Sequence, residues 1–510
     1  MIRNYPIKTK VDGKEYYEIS TATDLYWFAE QVNNTKTNQI NAFLTNDIVV
    51  NEGEISVYSM SKEVQDQNSE AVRDWTPIGY YNSEDDKMYY EGIFDGQGHS
   101  IIGLYFNDSK KSYVGLFGAV GKDGVVKNLI VENSHFRGKH YVGTIVGQNF
   151  GIVENCSSEG DICGTGNPLG GIIGSNQKGQ IKNCINSGPV RRTVTDPGAI
   201  IGGVVGYNVE GKIENCSNTG SVSTERTYSQ IQQNDQVGGI IGCNNGGTVE
   251  NCENSGEIRG NEHVGGIVGS LFTAQINYCC NTGQVNIHIC SSVSQYAGGI
   301  VGYCSFKNTV ENCINKGKIK GGNYLGGIIG WNDGRIKNCK NEGEVIGSSL
   351  IGGIVGYIQS GSLENCSNVA QVNSTVNDKE KTGGIAGHAC RGEIIRCYYL
   401  KTSEINTNVN LIGKKTSKCY VVEASNDQYN ETKKNIGKQD IKIRTFKKSY
   451  EIKKQVSYDE IEKIRQEIIE LNNQIQEKSM KINEIRKDIQ KSKYITIIIM
   501  IIIIMIFFFK

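Results

Sequence analysis

Residues 201–206 read Ile-Gly-Gly-Val-Val-Gly, residues 212–216 read Lys-Ile-Glu-Asn-Cys, and residues 220–222 read Gly-Ser-Val. A form of this unit recurs ten times between Tyr113 and Cys397, at intervals of 26 to 36 residues. A period of this length is typical of an array in which each repeat contacts only its neighbours. The glycines that begin the units are Gly115, Gly143, Gly170, Gly202, Gly238, Gly265, Gly298, Gly326, Gly352 and Gly383.

The repeated unit predicts short parallel strands. Its segments are four to six residues long, rich in Ile and Val, and separated by Gly and Asn, which leaves no room for a ten-residue helix. We therefore expect a mainly β fold, a parallel β-solenoid of about ten coils with two or three strands in each coil. Coils that lie about 4.8 Å apart make a rod on the order of 50 Å long.

One cysteine stands at a nearly fixed place in the unit. It follows the first glycine by 13 to 15 residues, whereas the distance from the cysteine to the next glycine varies from 13 to 22. One half of each unit is therefore expected to have a fixed geometry, and the other half to carry a loop that accepts insertions. The cysteines should stack as small core residues; they are Cys156, Cys184, Cys216, Cys252, Cys279, Cys313, Cys339, Cys366 and Cys397.

An asparagine precedes most of these cysteines. Stacked asparagines form ladders of side-chain hydrogen bonds, so we expect such a ladder along the rod. Tyr278 and Arg396 occupy this position in two units and should interrupt it. The predicted ladder residues are Asn155, Asn183, Asn215, Asn251, Asn312, Asn338 and Asn365.

These residues resemble the GLUG-motif family, which is named for a glycine-flanked core such as Gly-Gly-Ile-Val-Gly at residues 265–269. The resemblance extends from about Tyr16 to Tyr399. It implies a β-solenoid of the kind found in surface and adhesin-like proteins and beside some immunoglobulin-cleaving peptidases. The family assigns no chemistry to the motif itself.

Residues 1–112 are predicted to cap the solenoid and lead into it, and residues 113–399 to form the repeats. Residues 21–32 have the pattern of an amphipathic helix with a threonine N-cap, which would cover the first open edge of the solenoid. Residues 42–48 resemble an entering strand. Asp95 and His99 lie in a glycine-rich segment, which we interpret as a turn rather than an active site. The apolar face of the helix is predicted to be Leu25, Phe28, Ala29 and Val32.

The repeat ends after Cys397, and residues 400–456 have the composition of a basic linker. Residues 457–493 show a heptad pattern of apolar side chains, which predicts a coiled coil and therefore a homo-oligomer, either a dimer or a trimer. The predicted core residues of the coil are Ile461, Ile464, Ile468, Leu471, Ile475, Ile482, Ile485 and Ile489.

Residues 494–510 predict a C-terminal transmembrane tail anchor, in which residues 495–509 enter the lipid bilayer. Fifteen apolar residues are a short span, which favours a thin membrane, although the organelle is left open. The first twenty residues lack the apolar stretch of a secretory signal. We therefore expect a single-pass membrane protein whose repeats face the cytosol and whose thiols are reduced.

The composition gives no indication of a catalytic site, a cofactor, a metal or a nucleic-acid partner. Lys plus Arg equals Asp plus Glu at 54 each. None of the sixteen cysteines forms a Cys-x-x-Cys pair, and the six histidines include no His-Glu-x-x-His motif. Both absences argue against the metal chemistry that such motifs support.

Two functions of different classes fit these features. The first is a membrane-anchored binding or scaffolding protein that presents its loops to a protein or glycan ligand and is not an enzyme. The alternatives are a glycan-acting β-helix enzyme, a lyase or a hydrolase, or a membrane tether. An enzyme would need clustered carboxylates. The recurring acids Glu154, Glu214, Glu250, Glu311 and Glu364 alternate with Lys182 and Lys337, which is typical of a solvated row.

Overall fold

The computed structural model describes residues 5–34, 37–53, 55, 72–83, 86–193, 198–224, 234–288, 295–376, 379–400, 410–415 and 420–422. Contacts divide the chain into Met1–Asp440 and Ile441–Lys510, and all the described residues belong to the first unit. The predicted coiled coil and transmembrane segment, and most of the predicted linker, lie outside the described residues.

The described chain is a parallel β-solenoid in which four sheets surround one core. One coil shows the pattern, with strands at Ile200–Gly202, Val205–Val209, Lys212–Glu214, Ser217–Asn218 and Val222–Thr224. The first two strands belong to one sheet, and each of the other three belongs to a sheet of its own. We call these, in chain order, the glycine sheet, the charged sheet, the asparagine sheet and the closing sheet.

Each sheet is a stack of strands from successive coils. The glycine sheet has 18 strands, from Phe117–Val120 to Asn410–Lys415, and the charged sheet has 15, from Ile7–Val11 to Tyr420–Val422. The asparagine sheet has 12 strands, from Ile48–Val49 to Tyr398–Tyr399, and the closing sheet has 10, from Tyr105–Asn107 to Val372–Ser374. A two-stranded antiparallel pair, Tyr80–Tyr81 with Lys87–Met88, lies outside them.

The prediction of two or three strands per coil is wrong, because a coil contains five short strands. Asn215 adopts a left-handed backbone with φ of 55° and so turns the chain between the charged and asparagine sheets. Gly203 and Val204 separate the two strands of the glycine sheet. The asparagine sheet contributes one strand per coil, so the solenoid has about 12 coils rather than ten. The additional coils come from the leader before Tyr113.

The predicted helix is confirmed at Ala22–Asn34. The Asp24 amide donates to Thr21 Oγ1 at 3.1 Å, and the Thr21 amide donates to Asp24 Oδ2 at 2.9 Å, which caps the helix. The ring of Phe28 lies 5.8 Å from that of Phe94 and 6.0 Å from that of Tyr90, so the helix covers the end of the core. Its buried residues are Leu25, Phe28, Ala29 and Val32, as predicted. The segment predicted as the entering strand forms two strands, Asn41–Leu44 and Ile48–Val49.

The longest insertions of the repeat coils fall at one corner, where the chain passes from the closing sheet to the glycine sheet. Thr224 ends one closing strand and Gln236 begins the next glycine strand, whereas only two residues separate Gly260 from His263 one coil later. The strands on the other three sides keep their register. The prediction that one half of the unit accepts insertions is therefore confirmed.

We predict that the left-handed position before each cysteine tolerates Gly but not a β-branched residue. Asn215→Val should lower the free energy of unfolding by about 2 kcal/mol, because Val strains this backbone and loses the amide hydrogen bond to Asn183. Asn215→Gly keeps the backbone relaxed and should cost less than about 1 kcal/mol. Urea unfolding followed by circular dichroism measures both values. Lys212→Val, at an exposed position of the neighbouring strand, is the control. Equal losses for Val and Gly at position 215 would contradict the prediction.

Candidate functional site

The asparagines that precede the cysteines form an exposed ladder on the surface of the rod. Asn183 Nδ2 donates to Asn155 Oδ1 at 2.8 Å, and Asn215 Nδ2 donates to Asn183 Oδ1 at 3.1 Å. The amides of Asn338 and Asn365 continue the same pattern further along the chain. All seven predicted residues, including Asn251, have φ between 53° and 55°. Asparagine tolerates this region better than most residues do, a backbone requirement that the sequence analysis missed.

The ladder changes where the asparagine is replaced. Beside Tyr278, the Asn312 amide donates instead to Asn277 Oδ1 at 2.9 Å. Arg396, at the last position, donates to the Glu364 carboxylate. Tyr278 and Arg396 keep the left-handed backbone, with φ of 53° and 52°. The turn is therefore common to the ten repeats, while the hydrogen-bonded ladder depends on the asparagine side chain.

The nine repeat cysteines line the core next to that turn, and each is at most 4% exposed. Their sulfur atoms lie 3.1 to 3.4 Å from the carbonyl oxygen two residues earlier, as in Cys313 and Cys184. The cysteines that the structure describes are free thiols. Burial raises the pKa of the Cys156 and Cys216 thiols well above its ordinary value, so these groups stay protonated and unreactive at neutral pH.

A second asparagine ladder, missed by the sequence analysis, runs through the interior. Asn218 Nδ2 donates to Asn254 Oδ1 and to the Gly220 carbonyl, both at 2.8 Å. These side chains are fully buried, and the amides of the first six donate to the asparagine of the next coil. The sequence carried the pattern, since an asparagine follows the repeat cysteine by two residues in seven consecutive units. The residues are Asn186, Asn218, Asn254, Asn281, Asn315, Asn341 and Asn368.

The buried asparagines explain the second glycine of the repeated core. A Cβ atom at Gly203 would overlap Asn218 Cγ and the Gly239 carbonyl oxygen. Because Gly203 has no side chain, the space beside it is free for the Asn218 amide. The same overlap occurs at Gly171, Gly239, Gly266, Gly299, Gly327 and Gly353, each against the asparagine of its own coil.

The acids predicted as a solvated row lie in register along the charged sheet. Successive residues in this row include Glu154, Lys182 and Glu214, and Lys212 Nζ lies 3.0 Å from Glu214 Oε2. Partial burial raises the pKa of Glu364, but the opposing effects of Arg335, Lys337 and Arg396 are larger and hold this pKa below its ordinary value. An ionised, paired carboxylate of this kind is suited to ion pairing rather than to proton donation.

Four aromatic side chains follow one another on the outer surface of the glycine sheet, the last of them, His388, edge-on to its neighbour. The strands Val301–Cys304, Ile329–Asn332, Val355–Ile358 and Thr382–Ala389 place them in register. The rings of Trp331 and Tyr357 are 4.4 Å apart, and the next ring on either side is 6.4 Å and 5.0 Å away. We call Tyr303, Trp331, Tyr357 and His388 the aromatic row. Each follows the first glycine of its unit by five residues, a regularity that the sequence analysis did not use.

Asp95 and His99 take part in packing between coils, as the sequence indicated. Asp95 Oδ1 accepts from the Gln97 amide and from Asn128 Nδ2, both at 2.9 Å, and so begins the exposed ladder. His99 Nδ1 lies 3.2 Å from Asp47 Oδ1. In the part of the chain that the structure describes, no group of three or more His, Cys, Asp or Glu side chains is arranged to hold a metal ion.

These coils define a β-solenoid built from tandem repeats. Four of these repeats match the family model described as "The GLUG motif", at residues 198–223, 233–259, 321–346 and 347–373. The four matches coincide with coils that carry both the Gly-Gly core and the buried asparagine.

Two curated proteins share short stretches of sequence with the chain. A "Putative Gly-rich membrane protein" of Evansella cellulosilytica is 34% identical over 88 residues, which are 17% of this chain and 10% of that protein. Halomucin of Haloquadratum walsbyi is 34% identical over 96 residues, which are 19% of this chain and 1% of that protein. The chain therefore matches only a small part of the length of either relative.

A crystal structure of "a putative immunoglobulin A1 protease" from Bacteroides ovatus is similar over 83% of this chain and 88% of that one, at 18% identity and a TM-score of 0.32. A likeness at this score carries no argument about activity. Among the residues that the structure describes, no helix has the length and apolar character that a membrane span requires.

We predict that the repeat cysteines of the folded protein resist thiol reagents. Cys163 and Cys390 are partly exposed and should react with Ellman's reagent within minutes, whereas the nine core thiols should react only after unfolding in guanidinium chloride. Mass spectrometry of peptides alkylated before and after unfolding assigns each site. Rapid labelling of Cys216 or Cys252 in the folded protein would contradict the buried stack.

Proposed function

We propose that the chain is a repeat protein of the binding or scaffolding class, held at a membrane. The observation that carries this proposal is the stacking of the coils. Equivalent outward positions recur once per coil at intervals of about 4.8 Å, so the rod presents a series of similar side chains along one axis. Such an array suits weak contacts that are repeated along an extended partner.

Attachment to a membrane is supported by the sequence and by one relative. Residues 495–509 are uninterrupted apolar or threonine side chains, flanked by Lys493 and Lys510. The relative from Evansella cellulosilytica is named as a membrane protein. In this proposal residues 457–493 multimerise the chain, residues 494–510 anchor it, and the repeats remain on the cytosolic side. The free thiols of the described coils are consistent with a reducing compartment.

The proposal predicts that the anchor segment determines where the protein sediments. The full chain should pellet with membranes at high speed and resist a carbonate wash, because apolar residues of a bilayer span are released only by detergent. Deleting residues 494–510 should move the protein into the supernatant. Immunoblots of both fractions measure the distribution.

The control replaces residues 494–510 with an unrelated apolar segment of the same length, and this variant should still pellet. Circular dichroism should show the same strand content for all three forms. A deletion variant that continues to pellet would contradict the anchor, and loss of strand signal would indicate misfolding instead.

A further inference from the structure

A groove lies beside the aromatic row, where the chain passes from the glycine sheet to the charged sheet. It is an open groove of about 630 Å³ that is lined by turns of four successive coils. Its charged residues are Lys307, Asp333, Arg335, Arg391 and Glu393. Arg335, Arg391 and Glu393 are exposed, so their polar groups are available to a ligand.

The groove and the aromatic row form one continuous surface. Tyr357 Oη donates to Gln359 Oε1 at 2.7 Å, two residues before Gly361 of the groove. Asp333, which accepts from Ser360 Oγ at 2.9 Å, lies two residues after Trp331. Burial, and then the charge of the Asp333 carboxylate, raise the pKa of Tyr303 above its ordinary value. The carboxylate is therefore close enough for its charge to act on a ring of the row.

The aromatic row offers tilted rings that are only partly covered. Tyr303, Trp331 and Tyr357 each retain intermediate exposure, and Tyr324 adds a further ring 5.9 Å from Trp331. Trp331 is central, with tyrosine rings on both sides. Aromatic faces bind apolar C–H surfaces, and the polar groups at their edges fix orientation. The rings follow the axis of the solenoid, so a ligand that covers them must be extended.

We propose that the aromatic row and the adjacent groove bind an uncharged glycan chain that lies along the solenoid axis. A sugar ring presents C–H groups on its faces and hydroxyl groups at its edges, and each hydroxyl both donates and accepts hydrogen bonds. The rings complement the faces, while the Arg guanidinium donors and the carboxylate acceptors of the groove complement the hydroxyls. This inference deepens the proposed function, on which it rests, by naming the class of ligand.

The charges of the groove favour a neutral ligand over a polyanion. Asp333 and Glu393 line the groove together with Lys307, Arg335 and Arg391, so a phosphate or sulfate chain along the groove would lie near carboxylates as well as cations. Arg335 also pairs with Glu364 at 3.2 Å, which reduces the charge that it offers. A neutral chain of hydroxyl groups can donate hydrogen bonds to the carboxylates and accept them from the cationic side chains, without repulsion between like charges.

The test uses the full chain in detergent micelles and affinity gel electrophoresis with hydroxyethylcellulose, glucomannan, arabinoxylan, laminarin or dextran in separate gels. We expect at least one polysaccharide to retard the wild-type protein. Trp331→Ala should weaken that binding about tenfold, because it removes the central ring from the stack. Trp331→Phe keeps a ring and should bind within about threefold of wild type.

The chain offers a matched control at Tyr207. It occupies the same outward position five residues after Gly202, but its register neighbours are Ser175 and Cys243. Tyr207→Ala should therefore bind like the wild type. A second variant, Arg335→Ala with Arg391→Ala, alters exposed side chains only and should weaken binding about tenfold without disturbing the fold. Thermal unfolding checks that every variant is folded. If Trp331→Ala is unfolded, the binding of the arginine variant tests the inference in its place.

Three results would overturn the inference. The first is that no polysaccharide in the panel retards the wild type. The second is that the arginine variant and a folded Trp331→Ala both bind as tightly as wild type. The third is that Trp331→Ala lowers the oligomeric state in light scattering while no polysaccharide binds, which would make the row an interface between copies. Membrane sedimentation of the same preparations tests the proposed anchor independently, so the two failures are distinguishable.

Discussion

The solenoid depends on the packing of one buried asparagine amide against one glycine in each of seven consecutive coils. The amide nitrogen donates both to the next asparagine and to a carbonyl of its own coil, as Asn254 does to Asn281 and Gly256. An amide buried without these partners costs about 1 to 3 kcal/mol. A strand that slips by one residue turns its asparagine outward, so the ladder fixes the register of the asparagine sheet. Ile and Val side chains fill the rest of the interior and leave little space for alternatives.

The coils at the ends of the ladder show how the same space is filled without an asparagine. Thr144 stands at the position of the second glycine, and Ser158 stands at that of the asparagine. Both side chains lie near Gly160, where a Cβ atom would meet them. At the far end, the ring of Tyr399 occupies the space over Gly384. Where the residue at the glycine position is larger, the residue at the asparagine position is smaller, and the reverse holds for Tyr399 over Gly384. The two side chains therefore fill the same space in the core.

The sequence predicted the architecture because a period of about 27 residues constrains every coil in the same way. Thr21 and Phe28 were placed correctly because helix caps and apolar faces depend on local sequence. The number of strands per coil was predicted wrongly, because Asn215 turns the chain within a segment that the Ile and Val pattern marks as one strand. That same turn decides which side chains point inward, so Asn218 was not recognised as a core residue. The aromatic row was missed because its regularity appears only when the offsets from each glycine are compared across coils.

Hydrogen exchange around Asn254 tests the central claim most directly. Asn254→Val keeps an apolar, strand-forming side chain but removes the amide that links three coils. Glu253→Val changes the neighbouring, partly exposed residue of the same strand and serves as the matched control. We predict that protection of the strands Ser217–Asn218 and Cys280–Asn281 falls by about 2 kcal/mol in Asn254→Val and stays unchanged in Glu253→Val. Equal protection in the two variants would show that the buried amides do not hold the coils together.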